Sequence, residues 1–304
     1  MSKAHTLLFY KFIDIEDPEE FAEKHLEFCK SLGLLGRILV GKEGINGSVT
    51  GEKDSIEKYK ETMKEDERFS DIVFKEDFGA QKPFTKMRVL VKDEIIAINK
   101  KIDMSKKAPY TTSKELKEIY DSGEDFVILD TRNDYEWKVG KFRNAKVMNI
   151  KTFREFPEVI EEMKDSLKGK KIITYCTGGI RCEKATAYMK ENGYEDEEIY
   201  QLKDGIINYC KDFPDTNWEG SCFVFDKRLV EDYNETNKPI TSCKICGKEC
   251  DLYRNCRSVE CDELVIECVD CEKKMNGCCS SSCLAKFREY CKVKSIQRQG
   301  RKTK

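Results

Sequence analysis

Apolar and polar positions along the chain change period several times, and the changes mark its elements. Residues 6–15 form an apolar-rich run of strand type. Asp17-Pro18-Glu19-Glu20 then opens a helix, with a capping side chain, a proline in the first turn and acids near the positive end of the dipole. Phe21, Leu26, Phe28 and Leu32 follow at helical spacing until Gly33 stops the run. Two short strands, residues 37–40 and 45–50, flank the turn Gly41-Lys42-Glu43-Gly44. A helix over 54–64 and a strand over 72–74 complete a β-α-β-β-α-β order. That order predicts a ferredoxin-like α+β domain, an antiparallel sheet with two helices on one face. One more strand is expected over 89–98.

From about residue 109 the pattern becomes an alternation of continuous apolar runs with helical segments. Thr112 and Ser113 offer a capping-box start. Strands are predicted over 126–129, 147–150, 171–175 and 198–202, and helices over 159–167 and 182–192. Such alternation implies a parallel α/β sheet covered by helices on both faces. Ligand sites in these sheets lie beyond the carboxyl ends of the strands, which is where Asp130 and Arg132 fall, and also Cys176 to Arg181.

The second of these stretches carries the chemistry. Cys176 leaves a buried strand, and Thr177, Gly178, Gly179 and Ile180 form a loop whose backbone N–H groups can turn inward before a helix begins. The helix start adds its positive dipole end, and Arg181 adds a fixed cation, so the cradle favours a thiolate at Cys176. The plainer reading is a buried strand-end cysteine beside a helix cap. Cys182 follows at the start of that helix, where a cysteine can be a small helix-packing residue. The chain has two histidines, His5 and His25, both near its start, so a Cys-His pair at Cys176 would need one to arrive from another domain.

Composition changes the picture in three ways. The length of 304 residues suits two ordinary domains with an appendage, placed at 1–108, 109–218 and 219–304. Charged residues make up 37% of the chain, yet the formal net charge is −2, so a polyanion would be met by local patches. Lys82, Lys86 and Arg88, beside Phe84, form one such patch, able to follow a phosphate backbone or to serve only as a solvated strand face. Arg298 and Arg301 belong to a second, in a basic tail after Cys283. No apolar run approaches a membrane span or a signal peptide, which points to the cytoplasm.

The third change is the cysteine count of 16, of which eleven lie in the last 62 residues. Cysteines so placed in a chain read as cytoplasmic suggest metal rather than disulfides. Cys243-x-x-Cys246 and Cys268-x-x-Cys271 have the spacing of a four-thiolate structural zinc site. Cys256, Cys261, Cys279 and Cys283 offer a second site in cross-braced order, with Cys250 and Cys278 as substitutes. Iron–sulfur ligation is the rival metal reading. No organic cofactor motif is evident.

The residues also carry a resemblance. Residues 126–132, the loop from Cys176 to Arg181, and Leu202-Lys203-Asp204-Gly205-Ile206 resemble the signatures of a rhodanese domain. The related phosphatase loops have one more residue between cysteine and arginine, so this loop resembles the sulfur-handling type. Gly41 to Ser48, Phe153-Arg154-Glu155-Phe156-Pro157, residues 176–184 and residues 218–226 together resemble the rhodanese-related tRNA uridine hydroxylases. In that family an acylphosphatase-like domain precedes the rhodanese domain. The resemblance implies oxygen-dependent hydroxylation at C5 of the wobble uridine of tRNA, with molecular oxygen as co-substrate, Cys176 as the catalytic cysteine and Cys182, in the same motif, as a candidate second thiol. One departure stands out: ordinary rhodaneses have Gly-His-Ile-x-Gly-Ala where this chain has Gly140-Lys141-Phe142-Arg143-Asn144-Ala145. The alternatives are a rhodanese-type sulfurtransferase or persulfide carrier, and a zinc-dependent RNA- or protein-binding adaptor.

Overall fold

The computed structural model describes residues 4–79, 83–194, 198–214, 216–233 and 238–300. The first part contains β1 (Ala4–Phe12), α1 (Pro18–Ser31), β2 (Leu35–Gly41), β3 (Gly44–Gly51), α2 (Lys53–Glu65), β4 (Phe74–Gly79) and β5 (Met87–Val91). Asp17 caps α1 by accepting the Glu20 N–H, as the Asp-Pro-Glu-Glu opening requires. The strands form one sheet in the order β4-β1-β3-β2-β5, antiparallel except for β5 beside β2. Leu7 and Phe9 of β1 share a core with Ile56, Tyr59 and Met63 of α2 and with Ala22 and Cys29 of α1. This is the ferredoxin-like arrangement with one strand added.

Three strand limits differ from expectation, the first being that of β1, expected over 6–15, which ends at Phe12. The strand expected over 72–74 runs instead over Phe74–Gly79, and Ile72 ahead of it is a core residue. The strand expected over 89–98 stops at Val91. Beyond it, the carboxylate of Glu43 accepts the Ile95 N–H at 2.7 Å, and that of Glu94 accepts the N–H groups of Ile98 and Asn99. Side chains satisfy the backbone there, so no ladder is needed.

The second part contains β6 (Tyr110–Thr111), α3 (Ser113–Ser122), β7 (Val127–Asp130), α4 (Asp134–Trp137), β8 (Gly140–Phe142), β9 (Lys146–Val147), α5 (Phe156–Leu167), β10 (Ile172–Tyr175), α6 (Ile180–Glu191), β11 (Ile199–Leu202) and α7 (Gly205–Asp212). A wholly parallel sheet runs β6-β11-β10-β7-β9, with β10, buried at every position, in its centre. Thr112 and Glu115 form the predicted capping box of α3. Helix α5 starts three residues earlier than expected, at Phe156, where Pro157 and the Thr152–Glu155 capping box favour a first turn. Of the strand expected over 147–150 only Val147 pairs, in β9 with Lys146, while Met148 and Ile150 go into the core.

By packing, the chain divides into two compact units. The first joins Met1–Asp134, Asn144–Asp212 and Asp226–Arg228, so both sheets above belong to it. The second joins Tyr135–Arg143, Phe213–Phe225 and Leu229–Lys304. In this second unit β8 pairs antiparallel with β12 (Trp218–Gly220), β13 (Cys222–Phe223) with β14 (Val230–Glu231), and β15 (Tyr253–Asn255) with β16 (Leu264–Ile266). Helices α8 (Val269–Met275) and α9 (Ser281–Gly300) follow. Phe142 meets Trp218 edge-on at 5.3 Å, and Val139, Phe223 and Tyr253 make a small core.

Candidate active site

Strand β10 delivers Cys176 at its carboxyl end, and α6 begins at Ile180. Between them Gly179 adopts φ +99°, a left-handed conformation that turns the chain into the helix. The Cys176 side chain is fully buried, and its Sγ accepts the Gly179 N–H at 3.0 Å. Arg181, also buried, donates from Nη2 to Thr177 Oγ1 at 3.3 Å. The loop is tied down from the other side: the carbonyls of Cys176 and Thr177 accept the N–H groups of Ile206 and Ile207, in α7.

Burial by itself disfavours a charged sulfur, but other contacts outweigh it at Cys176. The Cys182 thiol donates to it, the Arg181 guanidinium attracts it, and the N–H groups of Cys182 and Arg181 point at it, bringing its pKa down to about 5. Burial and then the Cys176 charge push Cys182 the opposite way, well above an ordinary thiol. The pair therefore splits into one thiolate and one thiol donor at neutral pH. Thr131 Oγ1 lies 3.7 Å from Cys182 Sγ and holds it in place.

Lys75, Tyr10 and Tyr110 were not singled out in the sequence, whereas Asp204 and Glu183 fall within the motifs quoted above. Lys75 of β4 reaches the Gly178 carbonyl and stands 3.4 Å from the Asp204 carboxylate. Glu183, buried in the first turn of α6, accepts from Tyr10 OH at 2.8 Å, Tyr110 OH at 2.7 Å and Lys107 Nζ at 3.0 Å. Burial, then the Glu183 carboxylate, hold the Tyr10 phenol far above its ordinary pKa, so it stays a donor. These residues line a cleft of about 350 Å³ with Phe12 and Lys203. It brings aromatic faces and ammonium groups together next to the Cys176 loop. One signal existed in the Gly41–Ser48 motif: its Glu43 binds Lys184 of α6, which also bonds Glu94 and the Ile96 carbonyl.

Asp130 and Arg132, expected in the pocket, are fully buried, as Cys176 itself is. Arg132 grips Asp130 through Nε and Nη2 at 2.9 and 2.7 Å, and Tyr175 OH adds a third bond to the same carboxylate. They brace the strand ends below the loop and, like Cys176 and Arg181, are not among the residues that line the cleft. Lys86 and Arg88 are exposed, the latter on edge strand β5. Lys82, Arg301 and the side chain of Arg298 lie outside the described residues.

In the second unit the sulfurs of Cys243, Cys246, Cys268 and Cys271 lie within 4.8 Å of one another, and so do those of Cys256, Cys261, Cys279 and Cys283. Individual separations are 3.7 Å for Cys246–Cys268, 3.7 Å for Cys261–Cys279 and 3.6 Å for Cys279–Cys283. A tetrahedral ion with bonds of about 2.3 Å spaces its sulfurs about 3.8 Å apart, so both sets could hold one metal ion each. Cys250 and Cys278 stand outside these sets, the former accepting the Leu252 N–H at 3.4 Å.

A parallel sheet that presents a cysteine loop closed by a glycine turn and an arginine defines a rhodanese-like domain, here packed with an acylphosphatase-like sheet. Family models agree: a UPF0176 acylphosphatase-like domain matches residues 4–95, a rhodanese-like domain 112–212 and a rhodanase C-terminal region 219–284. Over the whole chain, tRNA uridine(34) hydroxylases are similar. That of Bacillus mycoides is 44% identical over 283 residues, covering 91% of this chain and 88% of the relative. Those of Staphylococcus haemolyticus and Cytophaga hutchinsonii are 44% and 42% identical, covering 91% and 93% of this chain and 88% and 90% of their own. The chain belongs to the tRNA uridine(34) hydroxylase family.

Proposed function

We propose that this protein hydroxylates C5 of uridine 34 in tRNA, with molecular oxygen as co-substrate and Cys176 as its catalytic residue. The observation that carries the reading is the pairing of a thiolate-favouring loop with an adjoining cleft of aromatic and basic side chains. A pyrimidine brought out of its stack finds rings to lie against in Tyr10, Phe12 and Tyr110, while Lys107 and Lys203 suit the flanking phosphates. In this reading Lys86 and Arg88, exposed at the β5 edge, contact phosphates elsewhere on the RNA, a role given also to Lys82, Arg298 and Arg301. Hydroxylation by oxygen leaves its second oxygen atom to be reduced to water, so the reaction draws two electrons from a separate reductant. Among the described residues no helix is long and apolar enough to cross a membrane, and the reading places the protein in the cytoplasm with its tRNA substrate.

The two four-cysteine sets fit structural zinc. Their short sulfur–sulfur separations suit a single ion, whereas an iron–sulfur cluster would hold its cysteines apart across several metal atoms. Zinc there supplies folding energy to a segment poor in apolar residues.

Nucleoside mass spectrometry of tRNA from cells lacking the gene tests the reading. Wild type should restore 5-hydroxyuridine-derived nucleosides at position 34, and Cys176→Ser should not. The five-step spacing from Cys176 to Arg181 favours sulfur chemistry as a second reading. Unchanged nucleosides together with thiosulfate-dependent sulfur transfer would establish it, and RNA binding with neither chemistry would leave an adaptor.

A further inference from the structure

Arg181 and the loop N–H groups explain a thiolate at Cys176, but they do not explain Lys75. This lysine belongs to β4 of the acylphosphatase-like sheet, and its side chain is 5% exposed. Burying an ammonium is costly unless it is well partnered, so a sheet position that needed only packing would suit leucine or methionine. Its partners all belong to the Cys176 site. The Gly178 carbonyl is part of the loop. Asp204, at 3.4 Å, precedes Gly205, whose backbone packs on the carbonyls of Cys176 and Thr177. The Tyr10 ring lies 5.0 Å below the ammonium, and its OH stands 3.0 Å from where a Gly179 side chain would begin.

We propose that Lys75 is a positioning residue of the active site: it fixes Gly178 against the Asp204-Gly205 turn and is the second cation, after Arg181, that favours the Cys176 thiolate. The acylphosphatase-like sheet thereby contributes directly to the catalytic loop. The inference rests on reading Cys176 as the reactive thiolate. The charged and titratable groups acting there are Arg181 and Cys182 from α6, Glu183 from its first turn, Lys75 from β4, Tyr10 from β1 and Asp204 before α7. Burial lowers the Lys75 pKa, while Asp204 and Cys176 counter it, so ammonium and thiolate support one another.

The test is the pH dependence of iodoacetamide labelling at Cys176, resolved by peptide mass spectrometry on the full-length protein and normalised to its plateau. Wild type should reach half-maximal rate well below the ordinary cysteine range. Lys75→Met should move that midpoint up by about one unit, about a tenfold loss of labelling below it, and Lys75→Arg should restore it. Asp204→Asn, which frees the ammonium from its counter-charge, should move the midpoint down, and it decides alone if Lys75→Met does not fold. A midpoint unmoved by Lys75→Met or, failing that, by Asp204→Asn overturns the role of Lys75. A wild-type midpoint in the ordinary cysteine range overturns the thiolate reading itself.

Discussion

Replacing Gly205 by alanine sets one methyl group against the underside of the reactive loop. Gly205 has φ +72°, a left-handed conformation that costs a residue with a Cβ about 1–2 kcal/mol. The contact is the larger problem. The new Cβ would lie 2.6 Å from the carbonyl oxygens of both Cys176 and Thr177, where ordinary contact begins at 3.4 Å. Both oxygens are main-chain atoms, so no rotamer change relieves the clash, and the loop or the turn must move by about 0.8 Å. The same carbonyls accept the Ile206 and Ile207 N–H groups, so any movement also strains those bonds. Misplacing a reacting atom by about 1 Å costs on the order of 10²-fold in rate. Gly205→Ala should therefore lower kcat for uridine hydroxylation about 10²-fold, with KM for tRNA little changed because the cleft lysines are untouched. Steady-state turnover with purified tRNA, read by nucleoside mass spectrometry, measures both. Gly205→Asn separates the two causes, since asparagine tolerates the left-handed conformation but still carries the Cβ; it should be as slow as alanine. A kcat for folded Gly205→Ala within twofold of wild type would refute the reasoning.

Two further outcomes follow from burial and sulfur geometry. His25, bonded to Tyr59 OH at 3.0 Å inside the first sheet's helical layer, has its pKa lowered by burial to about 4 against an ordinary 6.5. Between those values the unfolded chain binds the extra proton, so the contribution to stability is complete above pH 6.5 and falls by about 3 kcal/mol towards pH 4. In denaturant titrations the stability gap between wild type and His25→Gln should narrow by that amount over this window; a gap independent of pH would contradict it. For the metal sites, elemental analysis should find two zinc ions per chain, with Cys268→Ser and Cys279→Ser each removing one. Stripping the metal should abolish amide protection in the β15–β16 pair, and a stripped protein that keeps it would show that the metal is dispensable for folding.

How much of this was legible in the sequence depended on whether the parts were contiguous. The Cys176 loop could be read directly because strand, cysteine, glycines and arginine occupy ten successive residues, 172–181. The two-residue cysteine gaps likewise pointed to which sulfurs could meet. The capping residues of α1 and α3 also gave true helix starts. The strand expected over 89–98 failed for another reason: its apolar pattern is real, but the carboxylates of distant Glu43 and of Glu94 within the segment take the N–H groups that would have built a ladder. Asp130 and Arg132 fell at the right strand end, yet a residue's position in the chain does not reveal that the two side chains consume each other.

Lys75 and Tyr10 were invisible for a deeper reason, which bears on what the active site is. In β1, Leu7 and Phe9 face the helices, so Tyr10 lies on the opposite face of the sheet, as does Lys75, which pairs with Leu8. A ferredoxin-like sheet standing alone leaves that face to water, where lysine, aspartate and tyrosine are ordinary residues. Here Lys75 and Asp77 are buried on it, because the sheet packs within the same compact unit as the cysteine loop. The alternation that makes them look like surface residues is the alternation that aims Lys75 at Gly178. No local period can distinguish a face that meets water from one that meets another domain. A site assembled across two sheets is legible in sequence only on the side that is contiguous, and that side holds the thiol and the arginine. The lysine and the phenol that lie over them come from residues that, in their own domain, look like solvent-facing positions.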